Sequence, residues 1–326
     1  MDSSGGKKEV SMDGADRVKP VESYPMKGGD EQTSYSHNSQ YQGEGVNASK
    51  VLISDAIENS ISLKEFSTIS TFRVADLGCS VGPNTFSVVQ NIVGAVERKL
   101  LLLLPDEGVV LLLDFEVFFN DHYSNDFNTL FSSLASKAGR RRYFAAGVPG
   151  SFHGRLFPKA SLHFVHSSYA VQWLSRVPDE VKDETSPAWN KGKILSVEAK
   201  QEVQEAYSAR FAQDMEAFLQ ARADELVGGG LMVLIFPYTK SPVYVEKALF
   251  YRLWRILELA LNDMADKGRL DEAKVNSFNI PIHIPYAHEI QKLVEENGSF
   301  TIVKMQPLTS PAMGSISSRS PLDARK

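Results

Sequence analysis

Cysteine is almost absent from this chain: Cys79 is the one thiol in 326 residues. No disulfide can form within it, and such usage fits a reducing compartment, so the expected location is cytoplasmic. A basic excess is missing too. The 35 Lys and Arg stand against 40 Asp and Glu, for a net charge of -5, which argues against a nucleic-acid partner. Arg140-Arg141-Arg142 is the single tight basic run and reads as a solvated turn. Long apolar stretches are lacking as well. Residues 100–113 are leucine-rich but broken by Pro105-Asp106-Glu107-Gly108, too short and interrupted to span a membrane. The first residues, Met-Asp-Ser-Ser-Gly-Gly-Lys-Lys, carry no apolar secretory segment. What is present, 43% hydrophobic and 23% charged residues, suits a globular protein with one large core, or a core plus a cap.

Polarity and periodicity divide the chain. Residues 1–20 read as disordered, and 21–46 as a segment covering the active site, because aromatic residues punctuate it. Residues 48–63 place Val51, Leu52, Ala56, Ile57 and Ile61 at helical spacing. A β-type run at 72–77 follows, then the turn Gly78-Cys79-Ser80-Val81-Gly82-Pro83-Asn84. Next comes an amphipathic helix with Phe86, Val89, Ile92, Val93 and Val96 on one face. Further strands are expected at 114–119, 142–146 and 161–166. A long helix at 197–227 is expected to stop at Gly228-Gly229-Gly230, before a strand at 231–236. Strands alternating with helices predict an α/β fold with a mainly parallel sheet. Residues 47–240 with 298–305 form the expected core, 299–305 being one more strand. Residues 241–297 lack the alternation and read as a helical cap, and 306–326 as a disordered tail.

Ligands of such sheets sit at the carboxyl ends of the strands, so the first loop is the place to look. It has neither the G-x-G-x-x-G of a dinucleotide fold nor the G-K-[ST] of a P-loop. Gly78-Cys79-Ser80-Val81-Gly82 does match the G-x-S-x-G nucleophile elbow of α/β-hydrolases. Against that reading, only one strand precedes it, and no H-G-G-G oxyanion motif lies upstream. A plain structural turn is a second reading. The third is Asp76-x-Gly78-x-x-x-Gly82, a loop for S-adenosylmethionine (SAM). That cofactor carries no phosphate and needs close backbone approach, which glycine permits. Asp121, ending the second strand, would then grip the ribose hydroxyls. The loop by itself leaves these three open.

Longer motifs go further. They are Met26-Lys27-Gly28-Gly29 with Ser34-Tyr35, Asn38-Ser39 and Gln42; Ala75-Asp76-Leu77-Gly78-Cys79-Ser80 with Gly82-Pro83-Asn84; Phe119-Asn120-Asp121 with Asn125-Asp126-Phe127-Asn128; Gly147-Val148-Pro149-Gly150-Ser151-Phe152 with Gly154-Arg155; and His166-Ser167-Ser168-Tyr169 with Trp173-Leu174-Ser175. Across residues 26–305 the chain closely resembles the plant SABATH family of methyltransferases. The resemblance implies a Rossmann-like methyltransferase core with a helical cap, often homodimeric, acting on small carboxylic acids or, in some members, on xanthine nitrogens. It implies a cofactor site of Tyr35, Asp76, Cys79, Asn84, Asp121, His122, Ser151 and Phe152. The implied acceptor pocket comprises Lys27, Gln42, Tyr169, Gln172, Trp173, Leu253 and Trp254. Some members hold magnesium near the cap, and the counterparts here are Asn190, Asn276, Phe278 through its backbone, and Asn279.

The chemistry agrees with those roles. Methyl transfer is an in-line displacement at a sulfonium, and a carboxylate is nucleophilic without a general base. Alignment alone can then supply on the order of 7–11 kcal/mol. Gln42 and Trp173 offer neutral N–H donors to hold one carboxylate oxygen, while Trp173 and Trp254 can clamp an apolar acceptor. His153, His163 and His166 read as structural. Three departures from the family stand out: His122 where leucine or glutamine is usual, the leucines of residues 100–113, and an end soon after Met305, where relatives add a helix and a final strand. The last leaves a shortened, weakly active paralogue as an alternative reading.

Overall fold

The computed structural model describes residues 24–62, 70–103, 113–136, 142–239 and 249–308. Its centre is a five-stranded sheet of β1 (Thr71–Leu77), β2 (Asp114–Asp121), β3 (Phe144–Pro149), β4 (Leu162–Ser168) and β5 (Leu226–Ile235). The spatial order is β3-β2-β1-β4-β5, and every neighbouring pair runs parallel. Parallel strands covered by helices on both faces read as continuous apolar runs, as β1 does: Phe72, Val74, Ala75 and Leu77 are all buried. The expected α/β fold with a parallel sheet is the fold observed.

The helices that follow the short α1 (Tyr35–Asn38) cover the sheet on both faces. On one lie α2 (Gln40–Ser60), α3 (Pro83–Leu103) and α4 (Phe127–Ser136). Pro83 opens α3 at the position where a missing N–H costs nothing. The expected stripe of Phe86, Val89, Ile92, Val93 and Val96 is buried in one cluster with Val74, Val117 and Phe164. The other face packs on α5 (Gln201–Glu225), whose Val203, Tyr207, Phe211, Phe218 and Leu219 join Leu162 and Val165. A smaller cluster, Ile194, Leu195, Tyr251, Ile280 and Ile282, forms beneath α6 (Leu249–Asp266) and the short α7 (Glu272–Ser277). α8 (Ala287–Asn297) falls within the span read as cap, yet its Ile290 packs into the α5 cluster.

Three local expectations are corrected. The second helix begins at Gln40 rather than 48, since Gly43 and Gly45 hide its periodicity. α5 ends at Glu225, and the glycine triplet lies inside β5. There the register steps from Leu162↔Leu226 to Phe164↔Leu231, so the glycines form a bulge, with Gly229 at φ +72. No strand forms at 299–305. That segment and β5 line the same large cavity, which takes the place of ladder bonds between them. The expectations for residues 1–20 and for 309–326 lie outside the described residues, as do 104–112 of the leucine-rich stretch and Arg140 and Arg141.

Candidate active site

Strand order reverses between β1 and β4, where an open α/β sheet forms its ligand crevice. The carboxyl ends of β1 to β4 surround a cavity of about 1840 Å³, larger than the ~300–1,000 Å³ of a typical single-ligand pocket. Gly78 turns the chain there at φ +78. A Cβ on it would stand 2.4 Å from that of Ala170, so only glycine lets the two loops approach. Gly78 N and Cys79 N both donate to Asn120 O at 2.9 Å. Asn120 Nδ2 in turn donates to Val148 O and Gly150 O at 2.8 and 2.9 Å. One buried asparagine thus registers three strand-end loops.

Asp121 sits between these loops and lines the cavity. Its carboxylate accepts Ser80 N and His122 N, each at 2.7 Å. Burial raises its pKa, and the two backbone donors act in the opposite sense. A carboxylate has about four lone-pair sites, so acceptor capacity remains for a diol. His122 and Phe152 line the cavity beside it. Phe152 is fixed from behind by Arg222, which donates to Phe152 O at 2.7 Å and to Gly154 O at 2.9 Å. Arg222 is fully buried and paired with Glu225 at 2.7 Å. Ser151 does not line the cavity, and its Oγ accepts from His153 N at 3.4 Å.

A second cavity of about 20 Å³ lies against the first, lined in part by Tyr35, Asp76, Cys79 and Asn84. Burial, the largest influence, pushes the Tyr35 hydroxyl up to about 12, despite a hydrogen bond with Asn84. Burial likewise pushes the Cys79 thiol well up. Asp76 faces inward, holding His166 Nδ1 at 2.7 Å and Thr85 Oγ1. Ser80 adopts φ +50, but its Oγ meets no protein partner. A hydrolase nucleophile needs an imidazole there, and none is bonded to it.

Gln42, Tyr169, Gln172, Trp173, Leu253 and Trp254 gather on the cavity from α2, the β4 loop and α6. Tyr169 takes φ +55, and a Cβ on Gly45 would lie 2.1 Å from its hydroxyl. Burial raises the Tyr169 pKa, keeping the ring a neutral donor. Trp173 bridges Ile282 and, like Trp254 and Ile284, packs against the cluster that Ile282 shares with Tyr251, which joins the β4 loop to the cap. Lys27 stands apart from the cavity, 57% exposed, with its ammonium on Glu31 at 3.1 Å.

The four residues implied for magnesium do not fit that ion. Asn190 Nδ2 donates to Asn279 Oδ1 at 2.8 Å, so these two amides are tied to each other. Asn276 Nδ2 is 3.5 Å from Glu272, and Phe278 is 45% exposed. The four residues contribute no carboxylate, whereas magnesium usually takes one or two.

Some of the site had no role assigned from sequence. Asp126 Oδ2 accepts Gly29 N at 2.9 Å and so ties the covering segment to the β2 loop. Its motif was visible but its partner, 97 residues away, was not. Tyr41 meets Tyr169 edge-on at 5.7 Å. His163 accepts Arg73 N at 2.9 Å, and His166 Nδ1 lies 2.7 Å from Asp76 Oδ1. No helix among the described residues is long and apolar enough to cross a membrane.

Comparison with known proteins points the same way. A family model described as SAM dependent carboxyl methyltransferase matches residues 21–324. Loganic acid O-methyltransferase of Catharanthus roseus is 44% identical over 299 residues, 89% of this chain and 77% of the relative. Farnesoic acid carboxyl-O-methyltransferase of Arabidopsis thaliana is 40% identical, over 88% of this chain and 80% of the relative. A solved structure of loganic acid methyltransferase with SAH superposes with a TM-score of 0.82 at 42% identity, covering 90% of this chain and 84% of that one. The chain belongs to the SABATH family of SAM-dependent carboxyl methyltransferases.

Proposed function

We propose that this chain forms the methyl ester of a small, largely apolar carboxylic acid, with SAM held on Asp121 and the acid oriented by Gln42 and Trp173. One observation carries the reading: the Asp121 carboxylate, the Gln42 amide and the Trp173 ring line one cavity large enough for two ligands. The acceptor side brings neutral donors and aromatic walls, and among the described residues no histidine or carboxylate is hydrogen-bonded to the Gln42 or Trp173 side chain. An acid ionised at neutral pH needs no such base, whereas a xanthine nitrogen must lose a proton during transfer. Tyr35, Cys79, Asn84, His122 and Phe152 shape the cofactor side in this reading. Tyr169, Gln172, Leu253 and Trp254 enclose the acceptor. The family relatives named for loganic and farnesoic acid suggest an iridoid or terpenoid acid as the first class to try.

Transfer of radiolabelled methyl onto a panel of such acids, aromatic acids and xanthines tests this. The expected product is a base-labile methyl ester. Activity confined to xanthines would overturn the acceptor assignment. Trp173→Phe keeps the aromatic wall and deletes the N–H. Turnover should fall roughly 10- to 100-fold, or ~1.4–2.7 kcal/mol, and an unchanged rate would remove Trp173 from the orienting pair.

A further inference from the structure

Asp76 and His166 face each other as register partners on β1 and β4, at the reversal of strand order. Their side chains are 4% and 1% exposed, and the His166 Nδ1 to Asp76 Oδ1 distance is 2.7 Å. Thr85 Oγ1 occupies the other carboxylate oxygen. With Nδ1–H donated to Asp76, a neutral imidazole presents Nε2 as an acceptor. That Nε2 is buried and meets no protein partner, and the same holds for Gln42 Oε1 and Ser168 Oγ. All three residues line the 20 Å³ cavity. Gln42 and Ser168 also line the large one, which His166 does not reach.

Three orphaned polar atoms around one cavity need an occupant, since a buried unsatisfied group costs ~1–3 kcal/mol. A water requires at least ~10–15 Å³ and two to four polar partners. This cavity meets both conditions for a single water. The bond count also closes. A water donates one proton to His166 Nε2 and the other to Gln42 Oε1, and accepts from the Ser168 hydroxyl.

We propose that His166 is a positioning residue for Gln42, acting through one water bound among His166 Nε2, Ser168 Oγ and Gln42 Oε1. With its carbonyl oxygen tethered inward, Gln42 turns its NH2 group outward to the acceptor. Asp76 fixes the imidazole tautomer, so the chain Asp76–His166–water–Gln42 sets the aim of a donor whose own side chain is otherwise free to rotate. The inference rests on the reading of Gln42 as the donor that orients the acid.

A crystal structure of the wild-type protein with S-adenosylhomocysteine reads the water directly. A solvent oxygen should lie ~2.7–3.2 Å from all three atoms, and an unfilled cavity in well-resolved density overturns the inference. Kinetics read the positioning. In His166→Asn the amide nitrogen stands where Nδ1 does, keeping the donor to Asp76 and deleting the arm to the water. The acceptor kcat/KM should fall about 10-fold with cofactor Kd unchanged, and fall no further in a Gln42→Leu background. Equal losses in both backgrounds would mean a structural role only and overturn the coupling. Ser168→Ala gives the same cycle should His166→Asn fail to fold. Failure to methylate any acid would overturn the acceptor reading beneath the inference, while the solvent density still decides the water.

Discussion

Replacing Arg222 with methionine perturbs the site from behind. The guanidinium is fully buried, pairs with an equally buried Glu225 at 2.7 Å, and caps Phe152 O and Gly154 O. Removing one partner of a buried ion pair costs ~3–5 kcal/mol. Glu225 Oε1 would still accept Phe157 N at 3.0 Å and Leu156 N at 2.5 Å, which partly solvates the stranded charge. Two carbonyls lose their donors. About 3 kcal/mol is therefore expected for Arg222→Met, read as a lower urea midpoint with an unchanged m-value. Adding Glu225→Gln removes the stranded charge while its amide oxygen keeps both backbone donors, so the double variant should recover about 1–2 kcal/mol. Phe152 and His153, at the start of the clamped loop, line the large cavity, so cofactor affinity should weaken in the single variant and improve in the double. A single variant within about 1 kcal/mol of wild type, or a double variant less stable than the single, would refute the clamp.

Three further outcomes follow from the geometry. Asp121→Ala should weaken cofactor binding by ~1.5–3 kcal/mol, the range for a hydrogen bond to a charged group, with calorimetry the check. Gly45→Ala must displace the Tyr169 hydroxyl, which would stand 2.1 Å from the new Cβ; acceptor KM should rise with cofactor Kd unchanged, as steady-state kinetics and calorimetry will read. Burial raises the Glu289 pKa, but His283 at 3.5 Å and hydrogen bonds from Ser208 and Tyr286 N outweigh it and hold the group at about 2, below its usual 4.5. A depressed carboxylate stabilises above its unfolded pKa and loses that contribution as pH falls from about 4.5 towards 2. Glu289→Gln should therefore flatten acid denaturation across that window, followed by circular dichroism.

How much of this was legible in the sequence depended on whether the signal was local. β1, its glycine loop and α3 were readable because strand, turn and amphipathic stripe follow one another in twenty-odd residues. The start of α2 was not, because Gly43 answers to Asn84 and Gly45 to Tyr169, contacts made only in the fold. The glycine triplet was legible as punctuation but not as a bulge, which needs the partner strand. Motif resemblance named residues that the fold brings together: Asp121, Gln42 and Trp173 meet on one cavity. Lys27 does not join them, because its local pairs with Glu31 and Thr33 hold it outward. The partners of Asp126 and His166, which are Gly29 and Asp76, became visible only once the fold brought distant segments together.

β5 is the outermost strand on its side of the sheet, and this shapes how its amides meet water. Tyr169 N donates to Ile235 O at 2.7 Å, so the peptide groups of Ile235 turn toward β4. Alternation along a strand then turns those of Leu231 and Val233 the same way. Met232 and Leu234 direct their N–H groups to the opposite side, into the large cavity they line. Deuterium uptake should thus alternate residue by residue within a single strand, slow at the odd positions from 231 to 235 and fast at the even ones. A ligand that fills the cavity along this edge would slow the fast set alone, giving occupancy an isotopic signature that needs no turnover.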